Sequence, residues 1–422
     1  MDKFVIWGGE RLRGEAEVSG SKNSVLPILA AAILGETPSV IRKAPWLRDV
    51  DTMLMILEAT GVTTKRSFDG DVTIDPSTLE NCEAPYELVR KMRSSIYVLG
   101  ALLGRLGKAV VSLPGGCVIG PRPIDLHIKG LSQLGATIEK HHGYLIVEAK
   151  KLKGARIFLG GPFGSSVGAT VNVMLGAVKA EGETIIESAA CEPEVADVVN
   201  FLTKMGAKIT GAGTPTLVIE GQKTLHGAEH EVIPDRIEAG TFMIAAAATG
   251  GDVTVLGAEP RHLEAVTAKL KDAGAEVSIG DKRIRVQASD ARRATDLTTL
   301  AYPGFPTDLQ AQFMTMMCVT PGVSRIVEKI YPDRFMHVGE LTRLGADITM
   351  DTNSALVRGV NGLSGAPVMA SDLRASAALI IAGLVAEGET LIHRIYHIDR
   401  GYMDIESKLA RLGAKIRRLK SD

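Results

Sequence analysis

Cys117 lies in the segment LPGGCVIGPRPIDLH, residues 113–127, directly behind Gly115-Gly116 and five positions before Arg122. Two glycines let the backbone approach a ligand closely, and a nearby guanidinium favours thiolate, so this spacing reads as a reactive thiol on a loop. Cys82, Cys191 and Cys318 have no such flanks and read as buried, inert thiols. No pair of cysteines has the C-x-x-C spacing of a metal site, and neither metal nor cofactor is expected.

A second group of chemistry-bearing residues stands at the entrances of apolar helical runs. These entrances read Ser21-Lys22-Asn23, Gly164-Ser165-Ser166-Val167-Gly168, Pro234-Asp235-Arg236, Pro306-Thr307-Asp308 and Ser371-Asp372-Leu373-Arg374, while Arg93-Ser94-Ser95 lies within such a run. Asp, Ser and Thr there have a plain reading as N-caps. Lys22, Arg93, Arg236 and Arg374 do not, because positive charge at a helix N-terminus opposes the helix dipole. An anion bound by the basic side chain and the free N–H groups would resolve the conflict. Loops further along carry Arg48-Asp49, Arg122, Arg261, Arg334 and Arg400. Neighbouring pairs such as Arg48-Asp49 account for some of these arginines; the set as a whole points to a site for a phosphorylated or carboxylated ligand.

The elements that must position these residues repeat six times. EATGVTT, SQLGATI, TKMGAKI, KDAGAEV, TRLGADI and ARLGAKI centre on Gly61, Gly135, Gly206, Gly274, Gly345 and Gly413, at steps of 74, 71, 68, 71 and 68 residues. Such spacing marks one unit copied along the chain. Each copy contains an Ala/Leu/Met-rich run that is apolar nearly all round, as in a helix buried on every side, then a strand, a more polar helix and further strands. An α/β fold of two domains with three repeats each is expected, residues 22–233 forming one and residues 1–21 with 234–422 the other. The opening FVIWGGERLRGEAEV is strand-like and is expected to complete the sheet of the last repeat, bringing the termini together.

Composition narrows the partners. The 422 residues carry 48 basic and 49 acidic side chains and are 45% hydrophobic, so nothing global points to nucleic acid or an anionic membrane. Apolar runs are too short to span a bilayer, the N-terminus does not read as a signal peptide, and the scattered cysteines suit a reducing, cytoplasmic setting.

The strings SGSKNS, MRSSIY, LPGGCVIGPRPIDLHI, SSVGATVN, FPTDLQAQF, DRFMHVGEL, SDLRASAAL and IYHIDRGY resemble the UDP-N-acetylglucosamine 1-carboxyvinyltransferases, a group of enolpyruvyl transferases, over essentially the whole chain. The resemblance implies an inside-out α/β barrel of two domains closing over phosphoenolpyruvate and UDP-N-acetylglucosamine. It also implies no cofactor, no nucleic-acid or membrane partner, and a monomer or weak homo-oligomer. Lys22, Arg122 and Arg400 then hold the phosphate of phosphoenolpyruvate, with Asn23 beside them. Arg334 and Arg374 face its carboxylate or the domain interface, with Asp372 two positions before Arg374 in the same motif. Cys117 protonates the enolpyruvyl methylene, and Asp308 meets the sugar 3'-hydroxyl as candidate base. Arg93, the segment Arg122, Pro123, Ile124, Asp125, Leu126, the segment Gly164, Ser165, Ser166, Val167, and Ile330 match sugar-nucleotide contacts. Gly164 replaces a lysine of some relatives, which leaves the N–H groups of residues 165–168 as the diphosphate donors there. 5-Enolpyruvylshikimate-3-phosphate synthase is the alternative within this chemistry, disfavoured because it does not use such a loop cysteine.

Overall fold

The structure, a computed structural model, describes residues 2–112 and 124–420. The chain divides into two compact units, one containing residues 2–19 and 234–420, the other residues 20–112 and 124–233. Each unit has three helices buried almost throughout their length. In the second these are α1 (Lys22–Ala32), α2 (Tyr97–Leu106) and α3 (Val167–Ala177), and in the first α4 (Arg236–Ala248), α5 (Gln310–Cys318) and α6 (Leu373–Val385). Within a unit the three pack on one another, α2 against α1 and α3, α5 against α4 and α6. This is why they are apolar on all faces: protein surrounds each of them along most of its length. Each buried Leu or Ile contributes about 1.5–3 kcal/mol.

Close approach of α2 and α3 requires Gly100. A Cβ there would lie 2.2 Å from the Asn172 carbonyl oxygen, and the Gly100 N–H donates to Asn172 Oδ1 at 2.8 Å. The six glycines at the repeat centres all have φ between +95° and +100°, the left-handed conformation that ends the outer helix and starts the next strand.

Six four-stranded sheets surround the buried helices, one per repeat. In the third repeat, for example, Arg156–Phe158 runs parallel to Glu183–Glu187, which pairs antiparallel with Thr216–Glu220, which pairs with Lys208–Thr210. Alternate residues such as Ile186, Leu217 and Ile219 face inward and are buried.

The opening segment does not stay together in one sheet as the sequence suggested. Lys3–Trp7 lies in the last repeat's sheet, between Glu389–His393 and Lys415–Leu419, with Phe4 opposite Ile392 and Arg418. Arg13–Glu17 instead runs parallel to Asp252–Leu256 in the fourth repeat. It fills there the edge place that Glu229–Glu231 fills in the first repeat, beside Ser39–Arg42. Residues 8–12, which include Gly8-Gly9, separate the two strands, and each strand pairs in a different sheet.

Candidate active site

Asp308 is the centre of charge in the unit that carries α4–α6. Its Oδ1 accepts from Arg334 Nη2 at 2.8 Å and lies 3.3 Å from Arg374 Nε, while the two guanidiniums are only 6% and 4% exposed. Burial would raise the Asp308 pKa, but Arg374 and Arg334 outweigh it and hold the carboxyl far below the usual range. Arg374 Nη1 also donates to the Tyr402 hydroxyl at 3.3 Å, itself 2.8 Å from Thr241 Oγ1. Gln312 Nε2 reaches the Asp308 carbonyl at 3.0 Å and the Tyr402 hydroxyl at 3.3 Å. Burial pushes the Tyr402 phenol up, so it stays protonated beside Arg374.

The helix entrances explain how these side chains are aimed. Asp372 caps α6 by accepting from the N–H groups of Arg374 and Ala375 at 2.8 and 3.1 Å. Asp235 caps α4 in the same way, from Ile237 and Glu238 at 2.8 and 3.0 Å. Asp308 makes no cap, and its carboxylate is left for the guanidiniums. The anion that Arg374 was expected to need is thus supplied, in this structure, by Asp308 of the same chain. Ile330 is half-buried, and Arg400 stands half-buried at the end of the turn Ile395–Arg400. Its neighbour Asp399 is gripped by Arg418 through two bonds of 3.1 and 2.7 Å. His337 is buried with its pKa pushed down to about 4 by burial, hence neutral at pH 7.

In the other unit Lys22 is the first residue of α1, and its Nζ lies 2.7 Å from Asp49 Oδ2 with both side chains buried. The Ser21 side chain makes no capping bond. Asn23 follows, half-buried; Pro27 has no N–H to give its carbonyl, which removes one bond from the first turn. Asp49 was read as the partner of Arg48, but consecutive helical residues point apart, and Asp49 meets Lys22 instead. That pairing is a feature of the site the sequence reading missed.

The expected sugar-nucleotide residues of this unit gather around the α3 entrance. Arg93 opens the short turn Arg93–Ile96 and its charge acts on His127, which burial drives down to about 4. His127 Nδ1 is 2.9 Å from Asn172 Nδ2, and a Cβ on Gly168 would lie 3.1 Å from its Nε2. Ile124 and Leu126 are half-buried and Asp125 exposed. A Cβ on Gly161 would lie 3.2 Å from Leu126 Cδ1, which places the Asp125–Gln133 helix against the turn 161–164. Gly164 is exposed with φ +91°, so its backbone suits glycine rather than the lysine of some relatives. Ser165, Ser166 and Val167 are half-buried, and Ser166 Oγ accepts from Ala169 N at 3.3 Å. Cys117, Arg122 and Pro123 lie outside the described residues.

Two expectations are corrected. Arg261 does not join a buried arginine set; it is exposed and bonds Glu259 at 3.3 Å. Cys82 and Cys191 are only partly buried, the Cys191 thiol nonetheless raised by burial and bonded to the Ala189 carbonyl at 3.7 Å. Cys318 is buried, with its pKa pushed up to about 12. Among the described residues no group of His, Cys, Asp and Glu is placed to hold a metal ion, and no helix is long and apolar enough to cross a membrane.

The profile of the family described as EPSP synthase (3-phosphoshikimate 1-carboxyvinyltransferase) matches residues 6–409. The chain belongs to this family of carboxyvinyl, or enolpyruvyl, transferases. Among its members, the UDP-N-acetylglucosamine 1-carboxyvinyltransferase of Trichlorobacter lovleyi is 54% identical over 420 residues, covering 99% of both chains. That of Methylacidiphilum infernorum is 55% identical over 421 residues, covering 100% of both. The solved enolpyruvyl transferase NikO from Streptomyces tendae matches with TM-score 0.89 and 27% identity over 100% of this chain and 99% of its own. EPSP synthase from Acinetobacter baumannii matches with TM-score 0.75 at 19% identity over 100% of both chains, a likeness of fold.

Proposed function

We infer that this chain transfers the enolpyruvyl group of phosphoenolpyruvate to the 3'-hydroxyl of UDP-N-acetylglucosamine, releasing phosphate, as the first committed step of peptidoglycan precursor synthesis in the cytoplasm. The reading rests on full-length relatives of that name at 54% and 55% identity. The observation that carries the chemistry is the ionised Asp308 carboxylate between Arg334 and Arg374.

The sugar oxygen adds to C2 of phosphoenolpyruvate as a proton reaches C3, giving a tetrahedral phospholactoyl ether. Phosphate then leaves C2 with the C2–O electron pair while a proton leaves C3, and the enolpyruvyl ether remains. Asp308 takes the hydroxyl proton and Cys117 delivers the proton to C3. Lys22, Arg122 and Arg400 stabilise the phosphate; Arg334 and Arg374, with Asp372 behind Arg374, serve the carboxylate. Asn23, Arg93, Pro123, Ile124, Asp125, Leu126, Gly164, Ser165, Ser166, Val167 and Ile330 hold the substrates.

A carboxyl held far below its usual range is a weak base. An incoming substrate carboxylate competes for Arg334 and Arg374, loosens their hold on Asp308 and raises its basicity when the acceptor is bound. Substrate binding thereby switches the base on.

Phosphate release from phosphoenolpyruvate is measured with either acceptor. Release with UDP-N-acetylglucosamine alone is expected, and release with shikimate 3-phosphate instead overturns the assignment. An epoxide phosphonate such as fosfomycin should label Cys117 as activity falls; a label on Cys82, Cys191 or Cys318 removes Cys117 from the mechanism.

A further inference from the structure

Glu328 follows the strand Val323–Val327 and is 0% exposed, yet its carboxylate accepts from four donors. Oε1 takes Thr299 Oγ1 at 2.6 Å and the N–H groups of Ile330 and Tyr331 at 2.8 and 2.9 Å. Oε2 takes Thr307 Oγ1 at 2.9 Å. Its own backbone is pinned by Asn353, whose carbonyl accepts from Glu328 N at 2.9 Å and whose Nδ2 donates to the Glu328 carbonyl at 3.2 Å.

Thr307 is the residue before Asp308, and its hydroxyl accepts from Arg334 Nη1 at 3.0 Å. A hydroxyl has one proton. That proton is donated to Glu328 Oε2, and a lone pair is left facing Arg334. The other branch of the same guanidinium, Nη2, holds Asp308.

We propose that Glu328 is a positioning residue for the transferase reaction: through the Thr307 hydroxyl it sets the orientation of the Arg334 guanidinium, and with it the Asp308 carboxylate, while its other oxygen fixes the Ile330 backbone. The proposal rests on the reading of Asp308 as the group that meets the acceptor hydroxyl. Glu328 touches no substrate; it acts on the site from one residue behind it. Satisfying Oε2 would by itself call for a donor such as Thr307; what reaches beyond a strand-end role is that the same hydroxyl accepts from Arg334, which holds Asp308.

Glu328→Gln separates these roles. The amide oxygen replaces Oε1 and keeps its three donors, so the amide nitrogen faces Thr307 and donates where the wild type accepts. Thr307 must then turn its proton away, and its lone pair is no longer reserved for Arg334. About a tenfold or larger fall in kcat is expected, with KM for UDP-N-acetylglucosamine changed less than about threefold. Thr307→Val should reproduce the fall and Thr307→Ser restore it. The double variant Glu328→Gln, Thr307→Val should be no worse than either alone, because both remove one relay. Full kcat in Glu328→Gln, or effects that multiply in the double variant, overturns the proposal. Wild-type protein that releases no phosphate with UDP-N-acetylglucosamine refutes the functional reading instead. The relay is then judged on the same variants by urea unfolding, where non-additive losses support it and additive losses refute it.

Discussion

Asp308→Asn removes one negative charge from between two guanidiniums and changes almost no volume. In the wild type, Asp308 Oδ1 lies 2.8 Å from Arg334 Nη2 and 3.3 Å from Arg374 Nε. Breaking a buried ion pair by deleting one partner costs about 3–5 kcal/mol, because the charge left behind is poorly solvated. Asp308 keeps 27% of its side chain in solvent, which screens part of the interaction, so about 2–4 kcal/mol is expected here. For a unit of roughly 200 residues that is a fall of roughly 5–15 °C in its thermal midpoint.

The sign with pH follows from the direction of the shift. The folded-state pKa is depressed below the unfolded 3.8, so the stabilisation is complete above that value and is lost as pH falls below it. Urea unfolding of wild type and variant should therefore give a gap that is constant between about pH 8 and 5 and closes only below about 4. A gap under about 0.5 kcal/mol at pH 7, or one that changes between pH 8 and 5, refutes the account of the cluster. In turnover, the same variant should lose about a hundredfold or more in kcat with much less change in sugar-nucleotide affinity.

Two further outcomes concern the framework. His127 and His337 are both held neutral by burial with pKa values near 4, so each contributes stability that is complete above the unfolded value of 6.5 and is lost as pH falls toward 4. Wild type should lose about 2 kcal/mol per histidine between pH 7 and 5 in urea unfolding, and His337→Phe should lack its share; an unchanged pH dependence in that variant refutes the assignment. Gly100→Ala drives a methyl group to 2.2 Å from the Asn172 carbonyl oxygen and should destabilise its unit by about 1–3 kcal/mol by calorimetry. A neutral result would mean that α2 and α3 can slide apart freely.

The repeats were readable because two strong local rules coincide in them. A glycine must stand where φ is near +95°, and a helix packed on all sides must be apolar on all sides. Arg374 was identifiable as a charge its helix entrance did not need for capping and Arg334 as one of the recurring loop arginines, while Asp308, which reads equally as an N-cap, was singled out by the family resemblance; the structure brings those three together. What escaped notice has no local mark. Asp49 sits beside Arg48 in sequence, and only the meeting of α1 with the next helix shows that it serves Lys22. Glu328 ends an ordinary strand, and its importance lies in donors brought from residues 299 and 307. The division of the opening segment between two sheets depends on vacancies hundreds of residues away.

That division governs the order in which the molecule can be assembled during translation. Residues 20–233 contain every strand of their own three sheets, whereas the last sheet lacks an inner member until Lys3–Trp7 is inserted between Glu389–His393 and Lys415–Leu419. At ribosomal speeds of about 5–20 residues per second, the roughly 390 residues between Phe4 and Ile392 correspond to about 20–80 s of synthesis. Lys3–Trp7 must stay unpaired through that interval, because both of its partner strands are made at the end of it. The last sheet of the unit bearing Asp308 is therefore completed only once Glu389–His393 and Lys415–Leu419 have been made.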